Sequence, residues 1–461
     1  MLNRLFVSYI AAGADGYLKV NSAATNLIWA KTFPKNVHRV DAGPGGFSII
    51  LTSAATNYDN PDNVTGATIY GFDLAGTQTA GYGSAQQYTP EVAIDEASQT
   101  LISVGYKNIV SNTSDAGNQP VVIPNHQGRA YDGTIKYTAY DWIGDSTQPN
   151  YINKPESNMA DSRACRVAIG KDSKMYITFE VAGGNHPMRY SPFNIMQAVT
   201  VVGGDNYSNF SNTNSEHKLF IGRYESSSGA YLLGQQFTGR LSSGIGTTVK
   251  TGAGAVDANQ DGRVYITGSA ASGLPFTQDH LPGQYSGGGF VLVLSPNMAT
   301  REQLVRVSLG EGHAISVSNK NRWAVGGSSK GSSLFTVAPV QTTAANATDN
   351  GWFAVYYQNG GNARLAVSEP IDVVNPAYGK AIQFSIFPNP SARQDIHILF
   401  QTEEEKIDSK IQLFDIHGKF VREVNSRSFD TTLPAKDIKP GLYIIKIQAV
   451  GVEKTRQLII N

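Results

Sequence analysis

Along most of the chain, apolar and polar residues alternate at a spacing of two, in short runs closed by Gly, Pro, Asn or Asp. That rhythm predicts short antiparallel strands joined by tight turns. Over residues 1 to 370 the runs fall into a degenerate repeat, which decides the architecture. One half of the unit reads apolar-x-apolar, a polar turn, then a strand ending in small residues. It occurs at Val40 to Leu51, Ala93 to Gly105, Val167 to Phe179, Val256 to Gly268 and Ile315 to Gly327. The other half is a strand, a turn with Gly, Asn or Pro, and a second strand. It occurs at Tyr17 to Phe33, Thr68 to Ala80, Thr134 to Ile143, Lys218 to Phe237, Gly289 to Val307 and Trp352 to Ala366.

Each pair of halves supplies four short antiparallel strands, the content of one propeller blade. The expectation is an all-β protein whose residues 1–370 form a β-propeller of about six blades, with five and seven as alternatives. Copies recur at roughly 55 to 85 residues, whereas a plain blade needs about 40 to 45. The surplus is inserted loop, at Lys107 to Gly133, Gly144 to Ser162 and Gly183 to Glu216, and such loops on a rigid scaffold usually carry binding. The clearest copy runs from Asp257 to Phe276 through Val264-Tyr265-Ile266-Thr267-Gly268-Ser269 and Gly273-Leu274-Pro275-Phe276. It resembles the SBBP type of bacterial β-propeller repeat, and Gly289 to Pro296 fits the same pattern.

Residues 371–381, with Pro376 and Gly379, read as a linker. Residues 382–461 then predict a small antiparallel β-sandwich of seven strands. Three elements stand out: Phe387-Pro388-Asn389-Pro390-Ser391, the turn Asp415-Ile416-His417-Gly418-Lys419, and Gly441-Leu442-Tyr443-Ile444-Ile445-Lys446 followed by Arg456 to Asn461. This ordering resembles the C-terminal sorting domain of the type IX secretion system of Bacteroidetes. The resemblance implies export to the cell surface or medium, a translocon as partner, and frequent removal of the domain as the protein is anchored or released. It places recognition on Phe387, Pro388, Asn389, Pro390, Gly418, Lys419, Gly441, Tyr443, Lys446 and Arg456. It implies no catalysis.

Composition narrows the rest. Lys plus Arg and Asp plus Glu both number 37, so no global field draws nucleic acid or an anionic membrane. No apolar run reaches the roughly 18 residues that span a bilayer, so a soluble or surface-attached protein rather than an integral one is expected; with the sorting resemblance, the expected location is secreted or on the outer cell surface. Cys165 has no internal partner and reads as a buried, inert thiol. Asn3-Arg4 and the short run Leu5 to Ala12 only faintly imitate a signal peptide, which favours a mature or truncated start.

Candidate chemistry is sparse. Asp257, Asn259 and Asp261, with Gly262, match the first half of a calcium loop, but Gly268 stands where an EF-hand needs Glu. The competing reading is a polar hairpin turn, and calcium is the only cofactor the sequence suggests. Two aromatic clusters suit sugar recognition, because ring faces stack on sugars while polar neighbours bond hydroxyls. One comprises Tyr137, Tyr140, Trp142, Asp145 and Tyr151, the other His186, Arg189, Tyr190, Asp205, Tyr207, Phe210 and His217. The competing reading packs these rings against the blades. Asp141 with Asp145, or Asp205 with Glu216, are the pairs available for glycoside cleavage. Metalloprotease, nucleophile-elbow and phosphate-loop motifs do not occur. Asp145-Ser146-Thr147 and Asp430-Thr431-Thr432 are similar to Bacteroidetes O-glycan acceptors. The leading expectation is a non-enzymatic module binding glycan or a surface protein. A self-associating subunit of an extracellular layer or filament, and a polysaccharide-degrading enzyme, are the alternatives.

Overall fold

In a computed structural model the described residues are 4–10, 16–22, 27–54, 63–111, 119–142, 160–184, 186–202, 218–240, 246–271, 287–308, 310–318, 322–330, 349–359, 362–365, 383–387, 391, 395–401, 408–415, 419–428, 430–449 and 452–460. Apart from one 3-10 turn at Pro187–Arg189, their regular structure is all strand. The protein is all-β and built of antiparallel sheets. It divides into two compact units, Met1–Thr336 with Thr343–Arg364, and Val337–Thr342 with Leu365–Asn461.

The first unit holds six principal sheets among the described residues, each formed by strands consecutive in that sheet. A three-stranded sheet comes first, with β1 (Arg4–Ile10), β2 (Gly16–Ser22) and β3 (Leu27–Phe33). The second sheet is β4 (Asn36–Ala42), β5 (Ser48–Ser53), β6 (Thr68–Phe72) and β7 (Gln78–Gly83). The third is β8 (Tyr88–Asp95), β9 (Thr100–Ser111), β10 (Gln119–Ala130) and β11 (Ile135–Ala139). The fourth takes β12 (Ser162–Ile169) and β13 (Met175–Val181), then a separate hairpin of β14 (Tyr190–Ser191) and β15 (Asn194–Ala198) intervenes, and β16 (Lys218–Tyr224) with β17 (Tyr231–Phe237) complete it. A small pair, β18 (Gly239–Arg240) and β19 (Gly246–Thr247), leads to the fifth, β20 (Val249–Ala258), β21 (Val264–Ala270), β22 (Gly288–Leu294) and β23 (Arg301–Ser308). The sixth is β24 (Glu311–Val317), β25 (Arg322–Lys330), β26 (Asp349–Asn359) and β27 (Asn362–Leu365). The first strands of successive sheets pack together in the series β1, β4, β8, β12, β20, β24.

The second to fifth sheets each pack between two neighbours, which explains why their inner strands read as nearly continuous apolar runs. In β13, Met175, Ile177 and Phe179 face the third sheet, sharing a core with Ile102, Val104 and Ile123. Tyr176 on the opposite face joins Val256, Ile266 and Phe290 of the fifth. Every such side chain taken fully from water contributes roughly 1.5–3 kcal/mol, so the inter-sheet cores supply most of the driving force.

A β-bulge interrupts the first strand of the five four-stranded sheets described in the first unit: at His38, Thr89–Pro90, Cys165, Thr251–Gly254 and His313. Glycines within the second strands answer it, in strands that run on past the small residues at which the sequence pattern ended them. A Cβ on Gly105 would lie 1.8 Å from the Tyr88 carbonyl, one on Gly268 2.2 Å from that of Lys250, and one on Gly327 2.0 Å from that of Glu311. The glycines therefore let the first strand bow toward its neighbours.

In the second unit, β28 (Gln383–Phe387), β29 (Ile396–Gln401) and β32 (Asp430–Leu433) form one sheet, while β30 (Ser409–Asp415), β31 (Phe420–Ser426), β33 (Gly441–Ala449) and β34 (Val452–Ile460) form another. Phe384, Ile398 and Phe400 from the first meet Ile411, Leu413, Ile445 and Leu458 from the second in one core.

Gly105→Ala is expected to destabilise the protein by roughly 1–3 kcal/mol through overpacking. Gly83→Ala, where an added Cβ meets nothing within 4 Å, is expected to be near neutral. Paired thermal melts check this, and equal melting temperatures would remove the steric account of the repeat.

Candidate functional site

The bulges turn polar side chains from one first strand onto the next. Arg39 Nε of β4 donates to Glu91 Oε2 of β8 at 3.0 Å, and Arg166 Nε of β12 lies 3.8 Å from the same oxygen. Arg166 Nε also donates to the Gly254 carbonyl of β20 at 2.8 Å. His313 Nδ1 of β24 lies 3.0 Å from the neighbouring Ala253 carbonyl. One polar series thus threads five successive first strands. The guanidiniums brace the bulges as well, since Arg39 Nη1 donates to the His38 carbonyl and Arg166 Nη1 to that of Cys165.

A second set of clasps repeats the theme. Asp41 Oδ2 accepts from Ile94 N of the next sheet at 2.9 Å, while Asp257 Oδ2 accepts from Val317 N at 2.8 Å. In both aspartates the other oxygen accepts from the following residue's own N–H. Glu180 Oε1 accepts from Gly252 N at 2.7 Å. Burial raises the carboxyls of Asp41, Glu180 and Asp257 above the ordinary range, against the pull of these N–H donors. Lys171 acts electrostatically on both Asp41 and Asp257, which lie in the second and fifth sheets.

This geometry corrects several sequence expectations. Asn259 Oδ1 caps its own turn, accepting from Asp261 N at 3.1 Å and Arg263 N at 2.9 Å. With Asp257 engaged between sheets, the triplet Asp257, Asn259 and Asp261 is a hairpin turn and inter-sheet clasp rather than a calcium loop. No cluster of metal-ligating side chains occurs among the described residues. Tyr140, Trp142, His186 and Tyr190 are buried, not displayed to a ligand. Tyr140 Oη and Tyr224 Oη share a 3.1 Å hydrogen bond, and the His126 ring meets Tyr137, Tyr140 and Tyr224 edge-on. Such edge-to-face packing favours a closed aromatic core over a sugar platform. Arg189 is half-buried beside them. Asp141 is paired with Lys107 at 2.7 Å. Asp145, Tyr151, Asp205, Tyr207, Phe210, Glu216 and His217 lie outside the described residues. Cys165 is wholly buried, and burial pushes its thiol well up, as an inert cysteine requires.

What the middle insertion does present is an apolar hairpin. Pro187, Met188 and Tyr190 anchor its base in the core. Tyr140 N donates to the Pro192 carbonyl at 2.7 Å, Val199 N to that of Arg189 at 2.9 Å, and Tyr231 Oη to that of Thr200 at 2.8 Å. Phe193 in the turn is 51% exposed and Met196 in β15 63%. Sequence reasoning passed over both, although Ser191-Pro192-Phe193-Asn194 places an aromatic residue in a turn.

In the second unit the signature residues hold the fold together. Ser391 is buried and its N–H donates to the Ile459 carbonyl at 2.8 Å, tying the Phe-Pro-Asn-Pro segment to the last strand. Asp415 closes the Gly418-Lys419 turn, with Lys419 N donating to its Oδ1 at 2.9 Å. Tyr443 Oη donates to the Lys439 carbonyl at 2.7 Å, and the Arg456 guanidinium sits 5.7 Å from the centre of the Phe384 ring. Phe387 lies in β28, whereas Pro388, Asn389, Pro390 and Gly418 are outside the described residues. Residues 385–461 match the family described as secretion system C-terminal sorting domain. These residues are a type IX sorting domain.

The sorting domain marks a protein exported to the cell surface or extracellular space. No helix among the described residues is long and apolar enough to cross a membrane. Thr431, the acceptor in the Asp430-Thr431-Thr432 match, is buried in β32 of the sorting domain, so the folded domain does not offer it for glycosylation. No curated protein sequence matches the chain. Among solved structures it is similar to PorZ, a surface component of the type IX secretion system of Porphyromonas gingivalis, at 9% identity and a TM-score of 0.29 over 99% of this chain. The chain spans 58% of that protein's length. Hadza microbial sialidase Hz136 matches 98% of this chain and 74% of its own at 9% identity, TM-score 0.28. CopC from Methylosinus trichosporium OB3b matches 17% of this chain and 94% of its own at 16% identity, TM-score 0.15. Likenesses this distant do not define the fold.

Glu91→Ala is expected to cost about 3–5 kcal/mol, because it leaves Arg39 and Arg166 without their shared counter-ion in a partly dehydrated seam. Chemical denaturation checks the loss. Burial lowers His38, His126 and His186 to about 3. Their neutral forms stabilise the fold fully above pH 6.5, and that contribution is lost as the pH falls from about 6.5 toward 3. Relative to His126→Phe, the natural protein is expected to lose up to about 1.4 kcal/mol per pH unit below 6.5. Parallel stability curves for the two would contradict a buried neutral His126.

Proposed function

We propose that this type IX cargo is a six-bladed β-propeller that works outside the cell as a non-enzymatic, protein-binding module. Two observations support the propeller: meandering sheets and first strands that pack in series. Asp41, Arg166, Glu180 and Asp257 are engaged in clasps between sheets, which suits a scaffold.

The single observation that carries the binding role is the buttressed hairpin that exposes Phe193 in its turn and Met196 on β15. Holding two large apolar groups in water is unfavourable, and a rigid base lowers the entropy lost on association. Met and aromatic residues are enriched at the centres of protein interfaces. A protein partner is therefore favoured over a glycan, whose aromatic platform at Tyr140 and Trp142 is buried.

A photo-reactive residue placed at position 193 of the full secreted chain is expected to cross-link a discrete partner at the producing cell's surface. The same group at Gly83, a position open to solvent in the second sheet, serves as the comparison. Adducts that are identical at both positions, or absent at 193, would contradict the reading.

A further inference from the structure

The sorting domain has two faces, and its alternating sequence separates a structural code from a contact code. Along β33, Tyr443, Ile445 and Ile447 point into the core, as do Leu458 and Ile460 of β34. The intervening residues face outward, and where a solvent-facing sheet would normally be polar, half of this face is apolar. Phe420 is 51% exposed, Leu442 42%, Ile444 39% and Ile459 42%. Register brings them together: Phe414 pairs with Phe420 on one side and Ile444 on the other, and Leu442 pairs with Ile459. The Phe414 and Phe420 rings meet edge-on at 5.9 Å. The other half of the face is polar, with Lys410 bound to Glu423 at 3.2 Å and Gln412 to Glu423 at 2.9 Å. Lys446 lies opposite Gln412 in the same register.

We propose that the Phe414–Phe420–Leu442–Ile444–Ile459 patch is the surface by which the sorting domain docks on the export machinery, against an apolar protein surface with an acidic rim. The occupant follows from what the domain is. A sorting signal must be read from outside, yet the signature residues Ser391, Asp415 and Tyr443 are consumed in holding the fold. The patch sits where two signature elements converge, beside the Gly418-Lys419 turn and at Gly441-Leu442. Lys419, Lys439 and Lys446 surround it in sequence and register, which supplies the complement for an acidic rim. Within the segment Gly441 to Lys446, Tyr443 and Ile445 build the domain while Leu442, Ile444 and Lys446 address it.

The test uses the full chain, expressed behind an inner-membrane export signal in a bacterium with type IX machinery. The pair Leu442→Thr and Ile444→Thr keeps strand propensity while removing the patch. Gln412→Thr with Gln448→Thr alters the polar half. The expected result is an extracellular yield at least ten-fold lower for the first pair, with cargo retained in the envelope and a thermal transition of the purified protein unchanged. The second pair is expected to be exported normally. Phe420→Thr with Ile459→Thr, on the flanking strands, repeats the test should the first pair fail to fold. Normal export of a folded patch variant overturns the proposal. So does loss of dimers in light scattering with export intact, which would make the patch a self-association face.

Discussion

The first unit depends on a polar seam in which side chains of the first strands grip the neighbouring sheets. Arg39, Glu91, Arg166 and His313 reach across four successive junctions, and Asp41 and Asp257 repeat the grip by taking a backbone N–H from the neighbouring first strand. Apolar burial between sheets is stronger in sum but indifferent to angle. Hydrogen bonds to charged groups are directional, so the seam fixes how each sheet is set against the last. The bulges make this possible by turning side chains and carbonyls sideways, and the glycines at 105, 268 and 327 make room for the bulges.

Much of this was legible in the sequence, for physical reasons that differ by element. The strand rhythm of β13 and β22 and the glycines within the second strands showed through because pleat and steric crowding act locally. The repeat around Val40-Asp41 and Val256-Asp257 was visible as a pattern, but its purpose was not. Asp257, Asn259 and Asp261 look the same to a sequence reader whether their oxygens meet calcium or backbone N–H groups, and only the packing of β20 against β24 and the closure of the turn show which N–H groups they meet. Tyr140, Trp142, His186 and Tyr190 misled for a related reason. Aromatic residues beside polar ones suit both a sugar platform and an inter-sheet core, and burial is a property of the assembled sheets. Phe193 and Met196 escaped notice because single apolar residues in a polar loop carry no periodic signal.

The sorting domain shows the converse. Its motifs were recognisable because they are structural: a buried serine, a turn-closing aspartate and a tyrosine bonded to the loop before its own strand. Residues that hold a fold recur together at fixed spacing. Residues that meet a partner need only be apolar and outward, which is why the exposed set on β31, β33 and β34 emerges from geometry rather than from motif.

Native-state hydrogen exchange resolved at single amides tests the polar seam most directly. The amides of Ile94, Gly252 and Val317 each donate to a carboxylate of a neighbouring sheet. If the seam sets the sheets against one another, these three exchange only through the cooperative opening that releases core amides such as Ile177, with the same free energy. Exchange of the three through small local openings, while Ile177 stays protected, would show that apolar packing alone holds the sheets and that the clasps are incidental.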